Sequence, residues 1–166
     1  GDVYKRQEYY ITDVIEIMLS EGEKVGAYVT DLEQTMGVND KLQLSQVGKI
    51  LNRRKVEALM LAGVTIIDPD KVQVTTNVKV GRDTVLYPGT VLEGDSVIGE
   101  NCVIGSNTSL NNCKVGNNTK ILETVGIDSE IGSDTNVGPF AYLRPGTKVG
   151  SEVKIGDFVE VKNSTI

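Results

Sequence analysis

The chain has 166 residues, with 39% hydrophobic, 24% charged and 5% aromatic content, no Trp, no His and a formal net charge of −6. The missing histidine excludes a histidine general base, a His-ligated zinc and a Ser-His-Asp triad within these residues. The acidic balance leaves no basic footprint for nucleic acid and opposes an anionic membrane surface.

In chain order, residues 11–19 (ITDVIEIML) carry apolar side chains at helical spacing, with Thr12 as a possible cap. Lys24–Thr30 (KVGAYVT) reads as a strand, and Gly37–Asp40 as a turn. Asp40 followed by Gln43 resembles a capping box. A helix is expected from Lys41 to Leu61, stopped by Gly63. Asp68-Pro69 then marks a turn. Residues 8–63 hold too few elements for a self-sufficient α/β core and read as the end of a larger domain.

From Val74 the pattern becomes a six-residue repeat. Val74, Val80, Leu86, Leu92, Ile98, Ile104 and Leu110 are in phase. The register slips by one to Val115, continues through Ile121 and Ile127, slips by two to Ile131, and then holds through Val137, Leu143, Val149, Ile155 and Val161, with Ile166 one residue early. The residue four after each aliphatic is small or β-branched, as at Thr84, Thr90, Ser96, Cys102, Thr119, Val125 and Thr135. One large and one small inward position per six residues suits a short strand and a tight turn. Three such units make one triangular coil of about 18 residues. The expected fold is mainly β, a parallel β-helix of about five coils over residues 74–166. No segment is long and apolar enough for a membrane span, and no signal peptide opens the chain.

Cys102 fills a small inward slot, and Cys113 lies in the shortened unit; both read as structural. The x-Gly pairs are turn-makers, since none opens a helix. Glu93, Asp95, Asp128, Glu130 and Asp134 read as turn and solvated-face residues. Arg144 and Lys162 are eighteen residues apart, one full coil, so they stack on one side of the prism and could clamp a phosphate. Asn39 reads locally as a turn residue or cap, although its amide oxygen is a reasonable hard ligand. A hexapeptide-repeat carbonic anhydrase fails for want of zinc-binding histidines. An ice-binding β-helix fails because the outward residues are mixed and charged.

EYYITDVIEIMLSEGEKVGAYVT, GVNDKLQLS, MLAGVTIIDPD, GRDTVLYPGTVLEG, GPFAYLRPGT and GDFVEVKNSTI follow one another in order. Over residues 8–166 they resemble the bifunctional bacterial enzymes that make UDP-N-acetylglucosamine, glucosamine-1-phosphate acetyltransferase joined to N-acetylglucosamine-1-phosphate uridylyltransferase. The resemblance implies a left-handed β-helix. It implies residues 8–40 as the remnant of a nucleotidyltransferase domain, 41–63 as a linker helix and 64–166 as the first coils of the acetyltransferase domain. Residues 1–7 (GDVYKRQ) do not match and read as an artefactual leader. Arg144 and Lys162 match the residues that bind the sugar-phosphate acceptor, and Asn39 matches the asparagine that contacts the uridylyl nucleotide and helps hold Mg²⁺. Acetyl-CoA and UTP are the implied co-substrates, a homotrimer the implied assembly and the cytoplasm the implied location. The family's Gly-rich nucleotide loop has no counterpart here, and its catalytic histidine belongs to coils beyond Ile166. The expectation is therefore that residues 1–166 alone catalyse neither reaction. The alternatives are a non-catalytic trimerising stalk or another hexapeptide-repeat acyl- or nucleotidyltransferase.

Overall fold

The computed structural model describes residues 11–166, so the GDVYKRQ segment, expected to be a leader, lies outside the described residues. The chain divides into two units, residues 1–37 and 38–166. In the first, helix α1 spans Asp13–Ser20 and a 3-10 turn spans Leu32–Gln34. Lys24–Thr30 does not form the expected strand. A strand needs a partner for its backbone groups, and no described segment pairs with it.

The second unit opens with helix α2, Lys41–Leu61, at the expected bounds. The Asp40 carboxylate accepts from the Gln43 backbone N–H at 2.7 Å. The Gln43 side chain reaches back to the Asn39 N–H, also at 2.7 Å, one residue earlier than a standard capping box. At the other end Gly63 takes φ +101°, and the Val64 N–H returns to the Leu59 carbonyl at 3.0 Å. This closure satisfies carbonyls that the last turn would otherwise leave open, and only a residue tolerant of positive φ fits it.

Seventeen short strands follow, β1 (Thr65–Ile66) to β17 (Glu160–Val161). They form three parallel sheets in which every third strand pairs. Wall A is β1-β4-β7-β10-β13-β16, wall B is β2-β5-β8-β11-β14-β17 and wall C is β3-β6-β9-β12-β15. Each coil visits A, B and C once, so the structure is a three-sided parallel β-helix of about five turns. The first rung begins at β1, ahead of the Asp68-Pro69 turn. That turn becomes a 3-10 segment (Pro69–Lys71) inside the first coil.

The inward ladder is the aliphatic series read from the repeat: Leu86, Leu92, Ile104, Leu110, Ile121 and Leu143 are fully buried. Around the slips the expected register is wrong. Gly126, not Ile127, takes the inward place. The shortening is thus three five-residue steps: Leu110 to Val115, Ile121 to Gly126 and Gly126 to Ile131. A Cβ at Gly126 would lie 2.9 Å from Leu110 Cδ2 and 3.2 Å from Cys113 Sγ, so large neighbours already fill that layer. In the short steps the small slot moves one residue earlier. Thr124 and Ser129 are buried, while Val125 is 41% exposed. Ile166 is also exposed, although its backbone pairs with Lys148 and Gly150.

The small slots add a second ladder. Thr84 Oγ1 donates to the Gly99 carbonyl (2.8 Å) and accepts from the Cys102 N–H (3.0 Å). Ser96 to Cys113 and Thr135 to Val153 repeat that backbone contact. At the corner after wall C a column of glycines lets successive backbones touch. A Cβ on Gly116 would sit 2.5 Å from Ser133 N and 2.7 Å from Gly132 C.

The first rung is covered by α2. Val56 and Leu59 are buried in the prism's core, and Asn52 pairs with the edge of β2 (Gln73–Val74) through both halves of its amide, donating to Val72 O and accepting from Val74 N, each at 2.9 Å. Lys55 Nζ donates to Thr76 O and Val78 O.

Two expected outcomes follow from the slots and the corner. Thr108 is fully buried, and its hydroxyl has no partner among the described residues, whereas Val78 fills a like slot without a polar atom. Thr108→Val should raise stability by about 1 kcal/mol in urea titration, because an unpaired buried hydroxyl is removed at constant shape. Gly116→Ala should lower it by roughly 1–3 kcal/mol, since backbone rather than a flexible side chain blocks the new methyl.

Candidate functional site

Arg144 and Lys162 each follow a wall B strand, β14 (Tyr142–Leu143) and β17. The strands pair with Tyr142 opposite Glu160 and Leu143 opposite Val161. The two cations therefore occupy the same place on adjacent rungs of one wall, about 4.8 Å apart at the backbone. The Arg144 N–H donates to Val161 O at 2.8 Å, and its carbonyl accepts the Thr147 hydroxyl at 2.7 Å. Gly146, at φ +81°, turns the chain immediately after it.

The guanidinium is half-buried. Its Nη1 lies 2.8 Å from Glu160 Oε1, and its Cζ sits 6.0 Å from the centroid of the Tyr142 ring. Lys162 is exposed, with no ion-pair partner among the described residues. A solvent-accessible surface pair such as Arg144–Glu160 contributes at most about 1 kcal/mol, so a dianionic phosphate can displace the carboxylate. The site is open wall rather than cavity. Two shallow grooves, of about 460 and 520 Å³, lie on wall C and beside the first rungs of wall B, and neither includes Arg144 or Lys162.

Asn39 lies ahead of α2, whose C-terminal half packs on the first coil, and the structure does not bring it to the two cations. The residues around it do not by themselves make up an Mg²⁺ site. Asn39 offers one amide oxygen, the adjacent Asp40 carboxylate is engaged in capping α2, and no group of three His, Cys, Asp or Glu side chains placed to hold a metal occurs among the described residues. Mg²⁺ needs near-octahedral oxygen ligation, including carboxylate.

The carboxylates behave as turn and surface groups. Glu93 accepts from Asn111, Asp95 from Asn77, Asp134 from Asn118, and Glu130 pairs with Lys114 at 3.6 Å. Both cysteines are fully buried, and burial pushes each thiol above its ordinary range. Glu160, Tyr142 and a pair of exposed aromatics, Phe140 and Phe158, were missed in the sequence. The 18-residue offset that links Arg144 to Lys162 also links Tyr142 to Glu160 and Phe140 to Phe158.

The sequence model of the family described as GMPPB C-terminal domain matches residues 69–166, more than half of the chain. The chain belongs to that family. Bifunctional protein GlmU of Clostridium perfringens (strain ATCC 13124) is 50% identical over 159 residues, covering 96% of this chain and 35% of the relative. Bifunctional protein GlmU of Halalkalibacterium halodurans is 47% identical over 167 residues, covering 100% and 37%. The chain thus spans about a third of the length of the curated relatives it matches. Among solved structures, a mutant perosamine N-acetyltransferase from Caulobacter crescentus, in complex with CoA and GDP-perosamine, superposes with a TM-score of 0.57 at 20% identity, covering 92% of this chain and 84% of that one. That likeness concerns the fold, the left-handed parallel β-helix. No described helix is long and apolar enough to cross a membrane.

The buried thiols generate a pH prediction. The folded chain holds both protons more tightly than the unfolded chain, whose thiols ionise from about pH 8.5. This contribution is complete below that pH and is lost as pH rises through the folded values. The urea midpoint should fall between pH 8 and 10, and a Cys102→Ser/Cys113→Ser variant should show a shallower slope over the same range.

Proposed function

We propose that the chain is the β-helical part of a sugar-phosphate N-acetyltransferase, in which Arg144 and Lys162 hold the phosphate of glucosamine-1-phosphate. The observation that carries this reading is the β14–β17 register, which sets two cations one rung apart on one wall. The identity to proteins named bifunctional GlmU supports it. In the reaction the acceptor nitrogen attacks the thioester carbonyl of acetyl-CoA, the carbon–sulfur bond breaks, CoA leaves and the nitrogen gives up a proton. Arginine and lysine do not accept that proton near neutral pH, and the chain holds no histidine. Its contribution is to bind and orient the acceptor.

The same reading makes residues 8–40 part of a nucleotidyltransferase domain, 41–63 a linker and 64–166 the first acetyltransferase coils of a cytoplasmic homotrimer. The partner reaction joins N-acetylglucosamine-1-phosphate to UTP, with Asn39 as a nucleotide contact.

Calorimetric titration of glucosamine-1-phosphate into the purified chain tests the clamp. Arg144→Ala and Lys162→Ala should each weaken binding about tenfold, the worth of one charge-assisted hydrogen bond. Glu160→Gln should tighten it up to about fivefold by releasing the guanidinium. Binding that ignores both cation variants, or acetyl transfer by the unaltered chain, would refute the reading.

A further inference from the structure

One surface feature is absorbed neither by the fold nor by the clamp. Phe140 and Phe158 stack with ring centroids 5.3 Å apart and planes 22° from parallel, and they are 52% and 80% exposed. Both take positive φ, +58° and +54°. Every other left-handed position among the described residues is Gly, Asn, Asp or Glu. The corner between walls A and B follows that rule in earlier rungs, with Gly89, Asn107 and Glu123, and departs from it only at these two. A bulky side chain at positive φ is strained, and a water-exposed phenyl ring adds no core packing. The coil would close as well with asparagine.

The two rings stand on the rungs that carry Arg144 and Lys162, at the opposite margin of wall B. Phe140 precedes Tyr142 by two residues, in the turn that leads into β14. The Arg144 guanidinium leans over the Tyr142 ring rather than away from the wall. Between guanidinium and phenyl stack the outward-facing residue is Tyr142, so a ligand that reaches both lies across the Tyr142 ring. The exposed carboxylates beside the stack, Asp157 next to Phe158 and Glu123 one rung below Phe140, disfavour a second anionic group there. They suit a neutral ring rich in hydroxyls.

We propose that the Phe140–Phe158 stack is the platform for the sugar ring of the acceptor, whose phosphate lies across wall B on Arg144 and Lys162. This rests on the clamp reading and assigns the discrimination of a sugar phosphate from free phosphate to the stack. The apolar face of the pyranose lies on the outer ring, and its hydroxyls meet the carboxylates at the margin.

The experiment compares glucosamine-1-phosphate with inorganic phosphate on the full 166-residue chain. Phe158→Ala should weaken the sugar phosphate about fivefold, in line with one aromatic contact, and leave inorganic phosphate unchanged. Phe158→Leu, which keeps apolar bulk without a flat face, should do the same, and Phe158→Tyr should bind like the unaltered chain. Equal changes for both ligands, or none for either, overturn the platform while Arg144→Ala still reports on the clamp. A change in sedimenting mass on Phe158→Ala with an unchanged ligand ratio also overturns it, in favour of contact with a second copy. Failure of the unaltered chain to bind either ligand overturns the clamp, and the platform with it.

Discussion

Everything in the coiled part of this chain depends on strands of two or three residues that cannot stand alone. Each finds partners for its backbone groups only on the rungs above and below. That requirement forces an inward residue at nearly constant spacing, because a coil of the wrong length would misalign every ladder bond. The large aliphatics fill the prism's interior. The hydroxyl and thiol slots tie rung to rung through backbone contacts that a larger residue would block. Where the spacing shortens to five, the structure compensates with Gly126 at the centre and an earlier small residue at the corner.

The same periodicity makes the outer surface addressable. Residues eighteen apart on a regular stretch lie in columns, so chemistry on one rung is repeated or complemented on the next. Arg144 over Lys162, Tyr142 over Glu160 and Phe140 over Phe158 form a small array on two adjacent rungs. The irregular rungs lie earlier in the chain, where registers of sixteen and seventeen occur, and the spacing has returned to eighteen by β14 and β17. The proposed phosphate clamp needs that regularity, because a one-residue slip would send one cation to the opposite face.

Much of this was legible in the residues. The α2 boundaries followed from Asp40 and Gly63, whose local chemistry leaves little choice, and the ladder from Leu86 to Leu110 followed from period alone. Ile127 misled because the eye prefers an aliphatic to a glycine, while the inward place is fixed by the rung beneath. Lys24–Thr30 has strand composition, but strand formation is a property of a pair and the pattern of one segment cannot supply its partner. At the site, the cations were readable from their offset. The Glu160 contact and the phenyl stack were not, because they depend on which way side chains lean across a wall.

The amide of Asn52 engages both a carbonyl and an N–H of the first rung's open edge. The solenoid therefore has a defined origin on α2, and every later rung is counted from it. The wall works as a molecular ruler graduated in steps of about 4.8 Å. Whole coils could be added or removed between α2 and Arg144 to change the reach from helix to cations in fixed increments, while the side of the prism they occupy stayed the same.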